Sequence, residues 1–218
     1  MRIAYFLSIL ILFSACKHQK TYVSFVPPDY FFPEEQVGNG KTFTYVSKTN
    51  GEKTFRDIFH LNIHNINYLI VRAYDQNGTT DSLVYLNRKI IENYSYMFGK
   101  QKIIKADIYT DTIIDNGKKL GELISTFEFA SQGSTFSIET KMTYLKDTTL
   151  LWRGKETASI VTFSTFQGKL QNNKFQKEFN IESTVYSAKG IGEIKYLIKG
   201  KDNKINEIDL VDIKDMIR

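Results

Sequence analysis

The chain is poor in the residues that staple or kink a fold: its 218 residues include one cysteine, Cys16, three prolines and one tryptophan. A lone cysteine excludes an intrachain disulfide framework. The prolines, Pro27, Pro28 and Pro33, all lie before residue 34, so the rest of the chain is free of residues that cannot donate to a β-ladder. Long hydrophobic runs are also missing. The stretch Ile3 to Phe13 covers eleven residues with Ser8 inside it, against about 20 for a helix crossing roughly 30 Å of hydrocarbon. The mature chain is therefore expected to contain no transmembrane helix. There is no Gly-x-Ser-x-Gly elbow, phosphate-binding loop or dinucleotide fingerprint, so no enzyme and no cofactor is expected. The formal charge of +5 comes from 29 Lys and Arg dispersed among 24 Asp and Glu, without an Arg-rich arm or zinc finger. Nucleic acid is not an expected partner.

What the chain does have begins at its first residues. Arg2, the short apolar run and the small residues Ser14 and Ala15 form an export signal. Ordinary cleavage there would leave Cys16 as a free thiol in an oxidising compartment. The sequence Phe13-Ser14-Ala15-Cys16 resembles the lipobox of bacterial lipoproteins, with Phe13 where Leu is more usual. That resemblance implies a diacylglyceryl group on the Cys16 sulfur, cleavage after Ala15 and acylation of the new amino terminus. The expected organisation is a signal peptide over 1–15, a lipidated tether and docking segment over 16–35, and a single β-rich domain over 36–218. No acidic run follows Cys16, which favours attachment to the outer membrane facing the periplasm.

Sixteen phenylalanines and thirteen tyrosines dominate the composition, and such residues suit strands with one buried face. The pairs Asn39-Gly40, Asn50-Gly51, Asn77-Gly78 and Asn116-Gly117 accept the left-handed conformations of tight hairpins. The expectation is an all-β fold of ten to twelve strands: an extended antiparallel meander forming a strongly curved sheet or open barrel, with two packed layers as an alternative. Strands are expected near 42–48, 54–63, 68–74, 80–86, 103–110, 120–129, 134–145, 148–152, 158–166, 175–186, 191–199 and 204–212, and residues 88–98 are ambiguous between strand and short helix. In 54–63, Phe55, Phe59, Leu61 and Ile63 share one parity and are expected toward the core, with Thr54, Arg56, His60 and Asn62 toward water or a shallow cleft. The aromatic cluster Tyr30-Phe31-Phe32 is expected to pack against the domain.

Chemical signals are sparse. His60 and His64 lie four apart, but on a strand rather than a helix, and no third ligand type accompanies them, so no metal is expected. Asp107, Asp111 and Asp115 lack the dense oxygen-ligand loop of an EF-hand and are read as solvated carboxylates. Gly190 and Gly192 are expected to allow a turn, bulge or close backbone passage. Their surroundings, Ala188-Lys189-Gly190-Ile191-Gly192-Glu193-Ile194-Lys195-Tyr196, resemble an Ala-x-Gly-Val-Gly-x-Val-Lys-Tyr signature of envelope β-sheet domains, with Ile191 and Ile194 in place of the valines. That resemblance, and a weak one to curved-sheet periplasmic lipoprotein carriers, implies a sheet around an apolar cavity. The functions left open are binding of an apolar ligand or envelope component, assembly with another envelope protein, and, last, an enzyme with a distributed site. The one expected membrane contact is through the N-terminal lipid.

Overall fold

The computed structural model describes residues 28–87, 89–97, 102–105, 107–114, 122–131 and 134–216. The leader, Cys16, Asp115 and the Asn116-Gly117 turn lie outside the described residues. A 3-10 turn at Pro28–Tyr30 and a short helix, α1 (Glu34–Val37), precede the strands. These are β1 (Lys41–Ser47), β2 (Lys53–Ile63), β3 (Ile66–Asp75), β4 (Gly78–Leu86), β5 (Lys89–Met97), β6 (Lys102–Lys105), β7 (Asp107–Ile114), β8 (Glu122–Ser131), β9 (Ser134–Trp152), β10 (Lys155–Asn172), β11 (Gln176–Ala188), β12 (Gly192–Lys199) and β13 (Ile205–Asp215).

All thirteen join one antiparallel sheet, in the order β6-β5-β4-β3-β2-β1-β13-β12-β11-β10-β9-β8-β7. Consecutive strands pair as hairpins on both wings, and the wings meet where the first and last strands pair, Lys41 opposite Asp215 and Ser47 opposite Ile208. The expectation of a strongly curved sheet or open barrel is corrected here. The ladder order ends at β6 on one side and β7 on the other, and among the described residues no ladder joins them, so the sheet stays open at two edges instead of closing into a barrel. Strand patterning sorts a strand's residues into two faces, but does not encode which strands pair or whether a sheet closes. Residues 88–98 contain β5, not a helix, and the run 103–110 divides into β6 and β7, the two edge strands.

Partners directly opposite each other share a face, which locates the core. Phe43 opposes Arg56, Lys41 opposes Ile58, and Ile58 opposes Val71. Phe43, Tyr45, Ile58, Leu69 and Val71 all belong to the buried cluster, joined by Val185, Ile194, Tyr196 and Leu210 from the other wing. The parity expected for β2 is thus inverted: Arg56 and Ile58 look into the core, while Leu61 and Ile63 are 43% and 46% exposed. Period two yields two faces, and the apolar rows of β1 and β3 decide which one is covered.

The aromatic residues before α1 complete this core. Phe31 and Phe32 are buried, with Phe31 edge-on to Tyr85 at 5.3 Å and Phe32 edge-on to Phe43 at 5.6 Å. The β9–β10 hairpin end also closes over β13: Trp152 Nε1 donates to the Leu210 carbonyl at 3.4 Å, and Arg153 pairs with Asp212.

Candidate functional site

The densest chemistry on the core face is a polar cluster where the two wings meet. β1 supplies Tyr45, β2 Arg56, β4 Asp81 and Tyr85, and β12 Glu193 and Tyr196. Simple alternation would point Glu193 away from Ile194. Instead the ladder between β11 and β12 shifts, with Tyr186 opposite Lys195 and Ser187 opposite Glu193, so that Ile194 is the extra residue of a bulge. A bulge re-aims the side chains beside it, and here Glu193 reaches Arg56 while Ile194 stays buried.

Within the cluster Arg56 Nη1 donates to Glu193 Oε2, the Tyr196 hydroxyl donates to the same oxygen, and the Tyr45 hydroxyl donates to the Glu193 carbonyl at 3.0 Å. The guanidinium carbon of Arg56 sits 5.3 Å from the Tyr45 ring centre and 5.0 Å from that of Tyr196, within cation–π range. Arg56 and Glu193 keep only 29% and 30% of their side-chain surface. Burial pushes the phenols of Tyr45, Tyr85 and Tyr196 well above the usual tyrosine range, so they are neutral donors at any physiological pH. Arg56, Glu193, Tyr45 and Tyr196 are thus engaged with one another. Their chemistry is that of a clamp joining β2 of one wing to β12 of the other.

Asp81 differs. Burial raises its carboxyl above the ordinary range, and the attraction of Arg56 only partly opposes this. The folded protein therefore holds the Asp81 proton more tightly than the unfolded chain does. The stability contributed is complete below the ordinary carboxylate pKa of about 4 and is lost as pH rises through the raised folded value. Asp81→Asn removes that loss. Thermal denaturation is expected to show variant and wild type alike in strong acid and the variant increasingly ahead toward neutral pH; an unchanged difference across that range would contradict the assignment.

Beside Arg56 the surface dips into a depression of about 180 Å³ bounded by Thr54, Arg56, Ala73, Asp75 and Thr80. On the opposite sheet face, Asp57 is buried and accepts from Thr42 Oγ1 at 2.7 Å, Arg72 Nη2 at 2.7 Å and the Tyr74 hydroxyl at 3.2 Å, a satisfied structural node.

The residues singled out from sequence fall elsewhere. His60 Nδ1 lies 3.0 Å from Asn67 Nδ2, and His64 sits in the β2–β3 turn with φ +50°. Among the described residues, no three His, Cys, Asp or Glu side chains gather to hold a metal. Asp107 and Asp111 lie on edge strand β7. Gly190 and Gly192 have φ +71° and +97°. The Gly190 N–H donates to the Asp29 carbonyl at 2.7 Å, and a Cβ on Gly192 would stand 2.9 Å from Phe32 Cδ1. The two glycines thus border the segment that carries Phe31 and Phe32. Sequence reasoning missed Arg56, Glu193, Asp81, Tyr45, Tyr85 and Tyr196; the one available signal was Glu193 and Tyr196 inside the glycine-bearing motif.

No protein-family model matches the chain, and no curated protein matches it. Among solved structures it is similar to a presumptive lipoprotein of Parabacteroides distasonis ATCC 8503, at 10% identity and TM-score 0.46 over 87% of this chain and 100% of that one. It is also similar to a presumptive exported protein with a YmcC-like fold from Bacteroides fragilis NCTC 9343, at 9% identity and TM-score 0.44 over 84% and 98%. A third likeness is to the hypothetical lipoprotein YmcC of Escherichia coli K12, at 12% identity and TM-score 0.34 over 81% and 89%.

Proposed function

We propose that this chain is a lipid-anchored protein of the bacterial envelope, held through acylated Cys16 at the outer membrane facing the periplasm, whose β-rich unit over 36–218 docks another envelope component. The observation that carries this reading is the export leader ending in Ser14-Ala15-Cys16 in a chain with no other cysteine. Acyl chains on Cys16 would each contribute about 0.8 kcal/mol per buried methylene to membrane attachment. Docking on the sheet surface is favoured over carriage of an apolar ligand because Phe31, Phe32 and Val37 occupy the core face. Catalysis is disfavoured because Arg56, Glu193, Tyr45 and Tyr196 at the centre of the polar cluster bond to one another.

Mass analysis of the mature amino terminus tests the anchor. The expected result is a chain that begins at a diacylglyceryl-modified Cys16, and Cys16→Ala is expected to retain Met1 to Ala15 and lose acylation. An unmodified peptide running through Ala15-Cys16 would reject it. For the docking role, cross-linking in cells followed by mild detergent extraction is expected to yield a reproducible protein complex. A stoichiometric apolar small molecule in its place would shift the reading to carriage.

A further inference from the structure

The β2–β3 hairpin runs beyond the sheet. β2 has its last β1 partner at Ile58 and β3 its first β4 partner at Leu69, so residues 59–68 form a two-stranded ribbon whose β2 arm extends five residues, about 17 Å at the strand rise. One face of this ribbon is apolar, with Leu61 opposite Tyr68 and Ile63 opposite Ile66. The other carries His60, Asn62 and Asn67. Leu61, Ile63 and Ile66 are 43%, 46% and 43% exposed. No Asp, Glu, Lys or Arg occurs between Asp57 and Arg72, in a chain of which 24% is charged. An exposed ribbon with apolar side chains and no formal charge would meet a low desolvation cost on entering a lipid interface, and Tyr68 is a residue type suited to that boundary.

The ribbon lies at the end of the sheet where the chain enters it. Asp29 is bonded to Gly190 in the β11–β12 turn. The registers of β1, β13 and β12 place that turn, the start of β1 and the β2–β3 turn at one end. β12 is three strands from β2, about 14 Å at the usual interstrand spacing. Eleven residues lie between Cys16 and Pro28, a reach of at most about 40 Å. Leu151, 71% exposed beside the β9–β10 turn, lies at that end as well.

We infer that the apolar face of the β2–β3 ribbon, Leu61, Ile63, Ile66 and Tyr68, is a membrane-contact site that rests in the bilayer interface to which the chain is tethered. This rests on the anchor reading above for its geometry, and it adds a second attachment that orients the sheet with its β2–β3 end toward the lipid.

The test uses the full acylated chain in vesicles of phosphatidylethanolamine and phosphatidylglycerol containing brominated acyl chains, which quench a nearby indole. Trp152 is the sole native tryptophan and sets the background. Ile63→Trp is expected to add emission that the bromolipid quenches, and Asn50→Trp, at the opposite end of the sheet, emission that it does not. Adding Leu61→Asn and Ile66→Asn to Ile63→Trp is expected to abolish the quenching. Unquenched emission from position 63 overturns the inference, as does a ribbon-dependent dimer in detergent with no quenching in vesicles, which would give the face to a second copy. Mass analysis of the same preparation separates the two readings. Acylated Cys16 with an unquenched ribbon defeats only the ribbon; unmodified Cys16 defeats the anchor, and quenching on added vesicles still decides the ribbon.

Discussion

Arg56→Met is expected to lower unfolding stability by about 3 kcal/mol, the lower end of the cost of breaking a buried ion pair from one side. The replacement preserves the apolar stem but strands the Glu193 carboxylate, which keeps 30% of its side-chain surface and would retain only the Tyr196 hydroxyl as a side-chain donor. Residual solvent access is the reason for choosing the lower end. Two tyrosine rings also lose the guanidinium that they flank. The double variant Arg56→Met, Glu193→Gln removes both charges and is expected to be more stable than Arg56→Met alone, since desolvation of an unpaired charge dominates the loss. Urea unfolding measures both. A cost under about 1 kcal/mol for Arg56→Met would mark the pair as an ordinary solvent-screened bridge and would remove the clamp between the wings.

Phe32→Ala carries a similar expected loss, about 3 kcal/mol or more for deleting a buried ring. Phe32 is 5% exposed, edge-on to Phe31 at 5.4 Å and to Phe43 at 5.6 Å, and in contact with Gly192. The effect should not be purely global. The segment bearing Phe32 is held to the β11–β12 turn by the Gly190 N–H bond to the Asp29 carbonyl and by the Lys189–Asp29 ion pair at 3.0 Å. Hydrogen exchange is expected to show the Gly190 amide losing protection ahead of amides in β1 and β2. Equal loss across the sheet would mean that the segment does not undock locally.

Particular elements show how far sequence reasoning carries. Asn50-Gly51 and Asn77-Gly78 sit at hairpin turns, with φ +72° at Gly51 and +124° at Gly78, because glycine in such a dipeptide accepts a conformation other residues resist. The β2–β3 turn was invisible in the same terms: His64 and Asn65 both adopt positive φ, at +50° and +64°, without a glycine to announce it. Asn39-Gly40 joins α1 to β1 and makes no hairpin. The apolar and polar sets of β2 were legible, but their inside and outside were reversed. Arg56 tolerates the core because Tyr45 stands beside it on the neighbouring strand and Glu193 and Tyr196 come to it from a strand near in space and far along the chain.

Local pattern therefore determined the β-rich character, the positions of most strands and the expectation attached to Cys16, since strand period, turn chemistry and leader hydrophobicity act over a few residues. Tertiary structure alone decided the pairing of β1 with β13, the open edges at β6 and β7, the bulge that aims Glu193 and the exposure of the β2–β3 ribbon. The β1–β13 pairing and the Arg56–Glu193 bond join segments more than 100 residues apart, and the entropy of closing such loops grows too slowly with length for chain distance to mark which partner is chosen.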